Sequence, residues 1–532
     1  DNYYYLQSQA ILYDYLKKLY PDLFNKLKKK QSEGQFIVEG SFWNEADINL
    51  PNGESLIRQI LYGKKFYKKH FKQDTKVAWL PDCFGFSAIL PQILNKSEIN
   101  YFLTAKLQWN ETNQFPYNLF QWEGLDGSQI NSYLLSDEYG GNLEPKKINK
   151  AWENRKQKDI DEVLSLYGFG DGGGGNNEIQ LNNYQALDKI PYLPQIKTGH
   201  MQKHLENIFD KKDLPTWKGE LYLEKHRGTY TSQADLKKYN RKLEFRLRNL
   251  ELLYSIAKVN GYQTEHDLEE NWKTLLKNQF HDILPGSCVH DVYLDAVQDY
   301  EDLKANLAEI ENDIFQFISN IITTNDENFF LFNPLTFKYD SLIELKLPQK
   351  SNNITALEKK KKKYPVQKEN DSIYFKLDDF NSLSFKKIKL LDNGNEHYQT
   401  NLSSNRHHLE NNYLKLSLDK KGQIKSIYDK EKEIEYIPKG SKANQLKLYD
   451  DKSTYFDAWD ISISEQNKKV IDDITSIKVN NTGPYYHSIK IKRNFYNSTS
   501  TQEIIMYDDD RKIDFKTNVD WQENQKLLKT VF

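Results

Sequence analysis

The sequence predicts a multidomain protein in which an α/β domain with a mainly parallel sheet is followed by a helical bundle and then by a β-sandwich. Three observations predict it. Up to about residue 225, short apolar runs of strand character alternate with helical stretches, the pattern of strands joined by crossover helices. Between 235 and 322, Leu236, Tyr239, Leu243, Leu247, Leu250 and Tyr254 step by three or four, as do Leu303, Leu307, Ile310, Ile314, Phe317 and Ile321. That is helical spacing. After Asn333-Pro334 the apolar period falls to two, as in Ile343, Leu345 and Leu347, in Leu414, Leu416 and Leu418, and in Ile489 and Ile491. Period two is a half-buried strand.

In chain order, residues 1–30 read as one amphipathic helix on Tyr5, Leu6, Ile11, Leu12, Tyr15, Leu16, Leu19 and Tyr20. Strands are expected at 35–39, 77–80, 101–104 and 163–167, and helices at 53–71, from Pro91 to Lys96, and at 265–277. The domain boundaries fall at 1–228, 229–325 and 326–532. Ligands of parallel sheets sit beyond the carboxyl ends of the strands, so the polar residues following each strand are the ones to inspect. The basic run Lys359–Lys363 reads as a solvated hairpin tip.

The 532 residues suffice for three or four domains at roughly 150 residues each. Lys plus Arg number 74 against 76 Asp plus Glu, a net charge of −2, so the whole-chain basic field that grips nucleic acid is missing. Two cysteines, Cys83 and Cys288, build neither a disulfide framework nor a cysteine zinc cluster. No run of 18 apolar residues exists to span a membrane. The chain opens at Asp1 with Met201 and Met506 as its only methionines, which reads as part of a longer protein.

Five stretches concentrate chemistry. In Trp79-Leu80-Pro81-Asp82-Cys83-Phe84-Gly85-Phe86-Ser87 a carboxylate stands at a strand's end between rings, suited to a nucleophile or a metal ligand beside a sugar, and equally to a helix N-cap. In Trp43-Asn44-Glu45-Ala46-Asp47-Ile48-Asn49, with Arg58 following, alternate carboxylates and amides next to a tryptophan suit vicinal hydroxyls. The run Gly168–Gly175 matches a dinucleotide fingerprint in letters, but Asp188 sits in a helical-looking stretch where an acidic residue ending a second strand is wanted, and Asp171 would repel a pyrophosphate. A glycine loop that lets substrate approach Asp171 is the better reading. Glu220 and Glu224, alternating with Leu221 and Leu223, are expected on one face of a strand. His281-Asp282, ahead of Pro285-Gly286, offers an imidazole for a metal with a partner to orient it.

Taken in order, Trp-x-Glu-x-Asp-x-Asn, Gly-Glu-Ser-x-x-Arg-Gln, Trp-Leu-Pro-Asp-x-Phe-Gly, Gly-x-Gly-Asp followed by four glycines, Gly-Glu-Leu-Tyr-Leu-Glu-x-His-Arg-Gly-Thr-Tyr-Thr-Ser, Gln-Phe-His-Asp-Ile-Leu-Pro-Gly-Ser and Phe-Asp-Ala-Trp-Asp resemble the zinc-dependent α-mannosidases of glycoside hydrolase family 38. The likeness runs from about Gln35 to the end and is nearer the cytosolic and vacuolar branch. It implies a retaining enzyme that hydrolyses terminal α-linked mannose from oligosaccharides or N-glycans. Asp82 matches the nucleophile, which also binds zinc, and His281 the C-terminal zinc ligand. Glu220 matches the acid/base position, with Asp171 as its rival. Trp43, Glu45, Asp47, Arg58, Phe84, Trp217, Tyr230 and Asp282 are the expected substrate contacts.

The family's N-terminal His-x-Asp, which supplies two further zinc ligands, has no counterpart here, so one zinc with two of its ligands absent, and an inactive chain by itself, are expected. The alternatives are a nucleotide-binding α/β enzyme using Gly168–Gly175 and a non-catalytic carbohydrate-binding protein. A cytoplasmic or vacuolar/lysosomal location and a homo-oligomer complete the expectations.

Overall fold

The computed structural model describes residues 4–187, 189–210, 213–322, 328–346, 354–358, 363–392, 399–453, 455–462 and 468–532. Leu347, Asp188 and Lys359–Lys362 lie outside them. The described residues form two compact units, one of residues 1–314 with Tyr455–Asp460, the other of residues 315–454 with 461–532.

The first unit opens differently from the single helix expected. Strand β1 (Tyr5–Gln7) pairs in parallel with β2 (Phe36–Val38), and helices α1 (Ala10–Leu19) and α2 (Pro21–Ser32) lie between them. Two local causes break the helix. Gln9 takes a left-handed conformation at φ 66°, and Pro21 lacks an N–H and excludes Tyr20 from the helical region, so α2 restarts with proline in its first turn. Helix α3 (Gly53–Phe71) is capped by the Asn52 side chain, which accepts from Ser55 N–H at 2.9 Å.

The main sheet follows with β3 (Val77–Trp79), β4 (Tyr101–Thr104), β5 (Leu119–Glu123), β6 (Gln129–Leu134) and β7 (Thr216–Lys218), in the spatial order β3-β4-β6-β5-β7. β3, β4 and β6 run parallel, and only the β5–β6 pair is antiparallel. Helix α4 (Leu90–Lys96) packs with Ala78, Phe102 and Trp122 in the buried cluster on one face. The strand expected at 163–167 does not form. Val163, Leu164 and Leu166 lie against the other face as an irregular segment, and Leu164 N–H donates to the Tyr133 hydroxyl at 2.9 Å rather than to a ladder.

The fold around β2 hinges on Glu39, whose Oε1 accepts the N–H groups of Lys76 at 2.9 Å and Val77 at 3.1 Å. Its Oε2 is buried without a partner. Burial, opposed by those backbone bonds, pushes its carboxyl up to about 7. A raised carboxyl stabilises the fold fully below the ordinary value of 4.5, and that contribution is lost as pH rises through 7. Glu39→Gln keeps the acceptor oxygen without the charge. The stability advantage of the variant over wild type, read from Tm, is expected to grow between pH 4.5 and 7, by up to ~3 kcal/mol at about 1.4 kcal/mol per pH unit, and to level off above pH 7. Parallel Tm–pH curves would sink this.

Helices α5 (Pro145–Glu153), α6 (Glu178–Leu187) and α7 (Met201–Phe209) flank the sheet region, and α8 (Ala234–Val259), α9 (Leu268–Lys277) and α10 (His290–Ile322) make the helical part. The predicted leucines Leu236, Leu243, Leu247 and Leu250 are buried on one face of α8. The second unit is antiparallel β. Leu414, Leu416 and Leu418 of one sheet join Ile489, Ile491 and Ile504 of another in a buried cluster, the inward half of each alternating strand.

Candidate active site

Three neighbouring parallel strands deliver the central residues from their carboxyl ends. Beyond β3 the chain turns at Leu80-Pro81 and presents Asp82. Beyond β4, Ala105 N–H donates to Pro81 carbonyl at 3.1 Å and sets Lys106 beside it. Beyond β6 comes Tyr139. Lys106 Nζ lies 2.5 Å from Asp82 Oδ1, in a pair whose side chains are 5% and 15% exposed. The Tyr139 hydroxyl lies 2.9 Å from Asp82 Oδ2 and 2.8 Å from Asp171 Oδ1. Burial, then the charges of Asp82 and Asp171, push the Tyr139 phenol well above its ordinary value, so it stays protonated. Cys83 turns inward, its thiol donating to Ala46 carbonyl at 3.1 Å. At Gly85, φ is +96°, and a Cβ there would meet Leu221 carbonyl and Leu223 N–H at 3.2 Å; the loop closes against Leu221 through this approach.

His281 Nε2 stands 3.7 Å from Asp82 Oδ2, while its Nδ1 lies 3.1 Å from Glu45 carbonyl. A carbonyl only accepts, so Nδ1 carries the hydrogen, and in the neutral ring the Nε2 lone pair faces a carboxylate oxygen. Two acceptors so placed suit a cation between them, with the second nitrogen oriented as metal-bound imidazoles are. They supply half of a usual zinc set. Among the described residues no group of three or more His, Cys, Asp or Glu side chains is placed to hold a metal ion. Glu45, buried and touched by Ser8 Oγ and Gln9 Nε2 at 3.2 Å each, is pushed up to about 7 by burial.

A cavity of about 830 Å³ takes in Asp82, Glu45, Phe84, Asp171, His281 and Asp282, together with Lys106, Trp109, Tyr139 and His226. The polar and aromatic lining suits a polyhydroxylated ring. Asp282 accepts from Ser287 Oγ at 2.8 Å and Trp459 Nε1 at 3.1 Å. His226 is buried, and burial, then Lys106, hold its imidazole down at about 4, hence neutral.

Several expected contacts stand elsewhere. Trp43 is 2% exposed, packed edge-on against Phe66 beneath Lys273, so no sugar reaches it. Arg58 is spent on Glu251, at 2.9 Å and 2.6 Å, on Glu54, and on the face of Trp272, which ties α3 to α8 and α9. Asp47 is buried and accepts from the N–H groups of Asn49 and Leu50, making a turn. Trp217 packs on Phe115, and the Tyr230 hydroxyl accepts from Asn49 Nδ2. Neither lines the cavity. Glu220 and Glu224 do not share a strand face, because β7 ends at Lys218 and Gly219 turns at φ +102°. Glu220 is exposed outside the cavity lining, while Glu224 accepts the N–H groups of Glu111, Thr112 and Asn113. The run Gly168–Gly175 folds as a short turn at Gly170–Gly172 with no strand before it, and α6 begins only at Glu178. That is not the strand-to-helix turn of a dinucleotide site. Lys106 and Tyr139 escaped the sequence reading, although each follows a strand of the parallel sheet and the carboxyl-end rule points at both.

Models of the glycosyl hydrolases family 38 N-terminal domain, the alpha mannosidase middle domain and the glycosyl hydrolases family 38 C-terminal domain match residues 1–220, 224–318 and 409–532. The chain is 31% identical to alpha-mannosidase G of Dictyostelium discoideum and 32% identical to alpha-mannosidase 2C1 of Homo sapiens. Each alignment covers 99% of this chain, and 52% and 50% of the relative, so the chain spans about half the length of these curated relatives. The crystal structure of an alpha-mannosidase from Enterococcus faecalis V583 superposes with a TM-score of 0.79 at 17% identity, over 99% of this chain and 70% of that one, and so shares the fold. With three models of one family matching in succession, and the paired carboxylates lying within the first of them, the chain belongs to glycosyl hydrolase family 38.

Proposed function

We propose that the chain carries the catalytic machinery of a retaining, zinc-dependent α-mannosidase that removes terminal α-linked mannose from oligosaccharides or N-glycans. One observation supports it most: Asp82 and Asp171 touch the same tyrosine hydroxyl. Their oxygens are therefore no farther apart than those two contacts summed, which accommodates the about 5–5.5 Å of retaining glycosidases, where inverting enzymes need about 6.5–9.5 Å. Asp82 is the nucleophile. Lys106, 2.5 Å from Oδ1, fixes its rotamer, and the carboxylate attacks the anomeric carbon while Asp171 protonates the leaving oxygen. Asp171 then takes a proton from the water that releases the sugar. The Tyr139 hydroxyl, within 2.9 Å of Asp82 Oδ2 and 2.8 Å of Asp171 Oδ1, holds the two carboxylates in register. Phe84 faces the sugar, and Asp282 accepts from a hydroxyl.

Asp82 and His281 would hold the zinc, which when bound anchors sugar hydroxyls. On two donors the 532-residue chain is expected to hold the ion loosely and to show little turnover until zinc is added in excess. The two thiols, Cys83 and Cys288, are free, in keeping with a cytosolic or lytic-vacuolar enzyme. Proton NMR of an aryl α-mannoside digest in excess zinc tests the reading. The first sugar seen should be α-mannose, before mutarotation. β-Mannose appearing first would refute retention, and binding without turnover would favour a non-catalytic lectin-like role.

A further inference from the structure

The motif Phe-Asp-Ala-Trp-Asp lies far along the sequence from the other site residues, yet Tyr455–Asp460 belongs to the first unit. Four tethers seat it there. Gly228 N–H donates to Trp459 carbonyl at 2.9 Å, Ser232 Oγ to Ala458 carbonyl at 3.3 Å, Trp459 Nε1 to Asp282 Oδ1 at 3.1 Å, and His226 N–H to the Asp460 carboxylate. The segment brings Phe456 into the cavity wall, 44% exposed and in the left-handed region at φ 61°. A bulky residue rarely adopts that conformation unless its surroundings fix it. Its ring centroid lies 5.8 Å from Trp109 and 5.7 Å from His226. Lys106, whose ammonium touches Asp82, sits 4.2 Å over the Trp109 ring, so the aromatic pair stands one side chain beyond the nucleophile.

We propose that Phe456 and Trp109 form a stacking platform for a second pyranose, the sugar next to the mannose held at Asp82, which makes the Tyr455–Asp460 segment a determinant of oligosaccharide specificity. This rests on the α-mannosidase reading. The physical case is that an exposed ring paired with a half-buried one, at the edge of a polar cavity, offers an apolar face to the C–H side of a sugar whose neighbour sits at Asp82. Asp460 and Trp459 position the platform rather than touch the sugar.

The test is a titration of the zinc-supplemented chain with methyl α-mannoside and with a panel of sulfur-linked α-mannobioses, which resist hydrolysis, followed by calorimetry. At least one mannobiose should bind ~5–10-fold more tightly than the methyl mannoside, an advantage of the size expected for one aromatic stack. Phe456→Ala should erase that advantage while leaving methyl α-mannoside within about twofold. Equal losses for both ligands, or no loss for either, would overturn the platform and leave the mannoside reading intact. If neither ligand binds the wild-type chain, the mannoside reading falls and the platform with it.

Discussion

Asp82→Asn lowers kcat on an aryl α-mannoside by about 10⁴-fold or more, ~5 kcal/mol at 1.36 kcal/mol per decade, because an amide cannot form the glycosyl-enzyme ester. The same change has a structural cost that must be separated from the chemical one. Lys106 is 4% exposed, and Asp82 is the carboxylate it pairs with. Removing one partner of a buried pair typically costs ~3–5 kcal/mol, since the remaining charge is left desolvated. Asp82→Asn should therefore also lower Tm. Adding Lys106→Met, which replaces the ammonium with an apolar chain of similar length beneath Trp109 and Phe84, should recover much of that stability and none of the activity. If Asp82→Asn folds and turns over normally, Asp82 is not the nucleophile; if the double variant regains activity, the loss was one of folding.

Which parts of this site could be read from residues alone follows from where the information lies. Asp82, Asp171 and His281 sit in local runs whose neighbours declare them: a proline stop, a glycine loop, and a helix end with Pro285-Gly286. Lys106 and Tyr139 sit among ordinary neighbours, and only strand order, β3-β4-β6, makes them adjacent to Asp82. Order in a sheet is a long-range property that no window of sequence contains. The opposite error arose at Trp43, Asp47 and Arg58, where dense polar and aromatic residues imitate a sugar site. Their partners Phe66, Leu50 and Glu251 come from the same helix region or from α8, so the density serves packing of α3 against the helical part. The period-two stretches read well because alternation is local: Leu414, Leu416 and Leu418 are buried while Lys415 is exposed. The irregular path of 163–167 was lost because an apolar run looks the same whether it pairs in a ladder or lies across a sheet face.

The identity of the acid/base separates Asp171 from Glu220, and leaving-group dependence decides between them. Asp171→Asn keeps an amide oxygen that accepts from Tyr139, so the geometry of the bridge survives while the transferable proton is lost. A dinitrophenyl mannoside departs with little protonation, and its glycosylation step should change by less than about tenfold. A methyl mannoside or a mannobiose, whose leaving alkoxide needs the proton, should lose ~10²–10⁴-fold in kcat/KM, the usual worth of general acid catalysis. Water attack on the glycosyl-enzyme then lacks its base, so kcat on the activated substrate falls and the intermediate accumulates. Azide needs no deprotonation and restores turnover, giving the α-mannosyl azide, since retention requires entry from the face the leaving group vacated. Glu220→Gln, on an exposed carboxylate outside the cavity lining, should move each of these readings by less than about threefold. The reverse pattern, with azide rescuing Glu220→Gln and not Asp171→Asn, would transfer the role to Glu220. It would also require the loop after Gly219 to swing its carboxyl toward Asp82 when substrate binds, a movement that the buried Leu221 and Leu223 on either side of Tyr222 oppose.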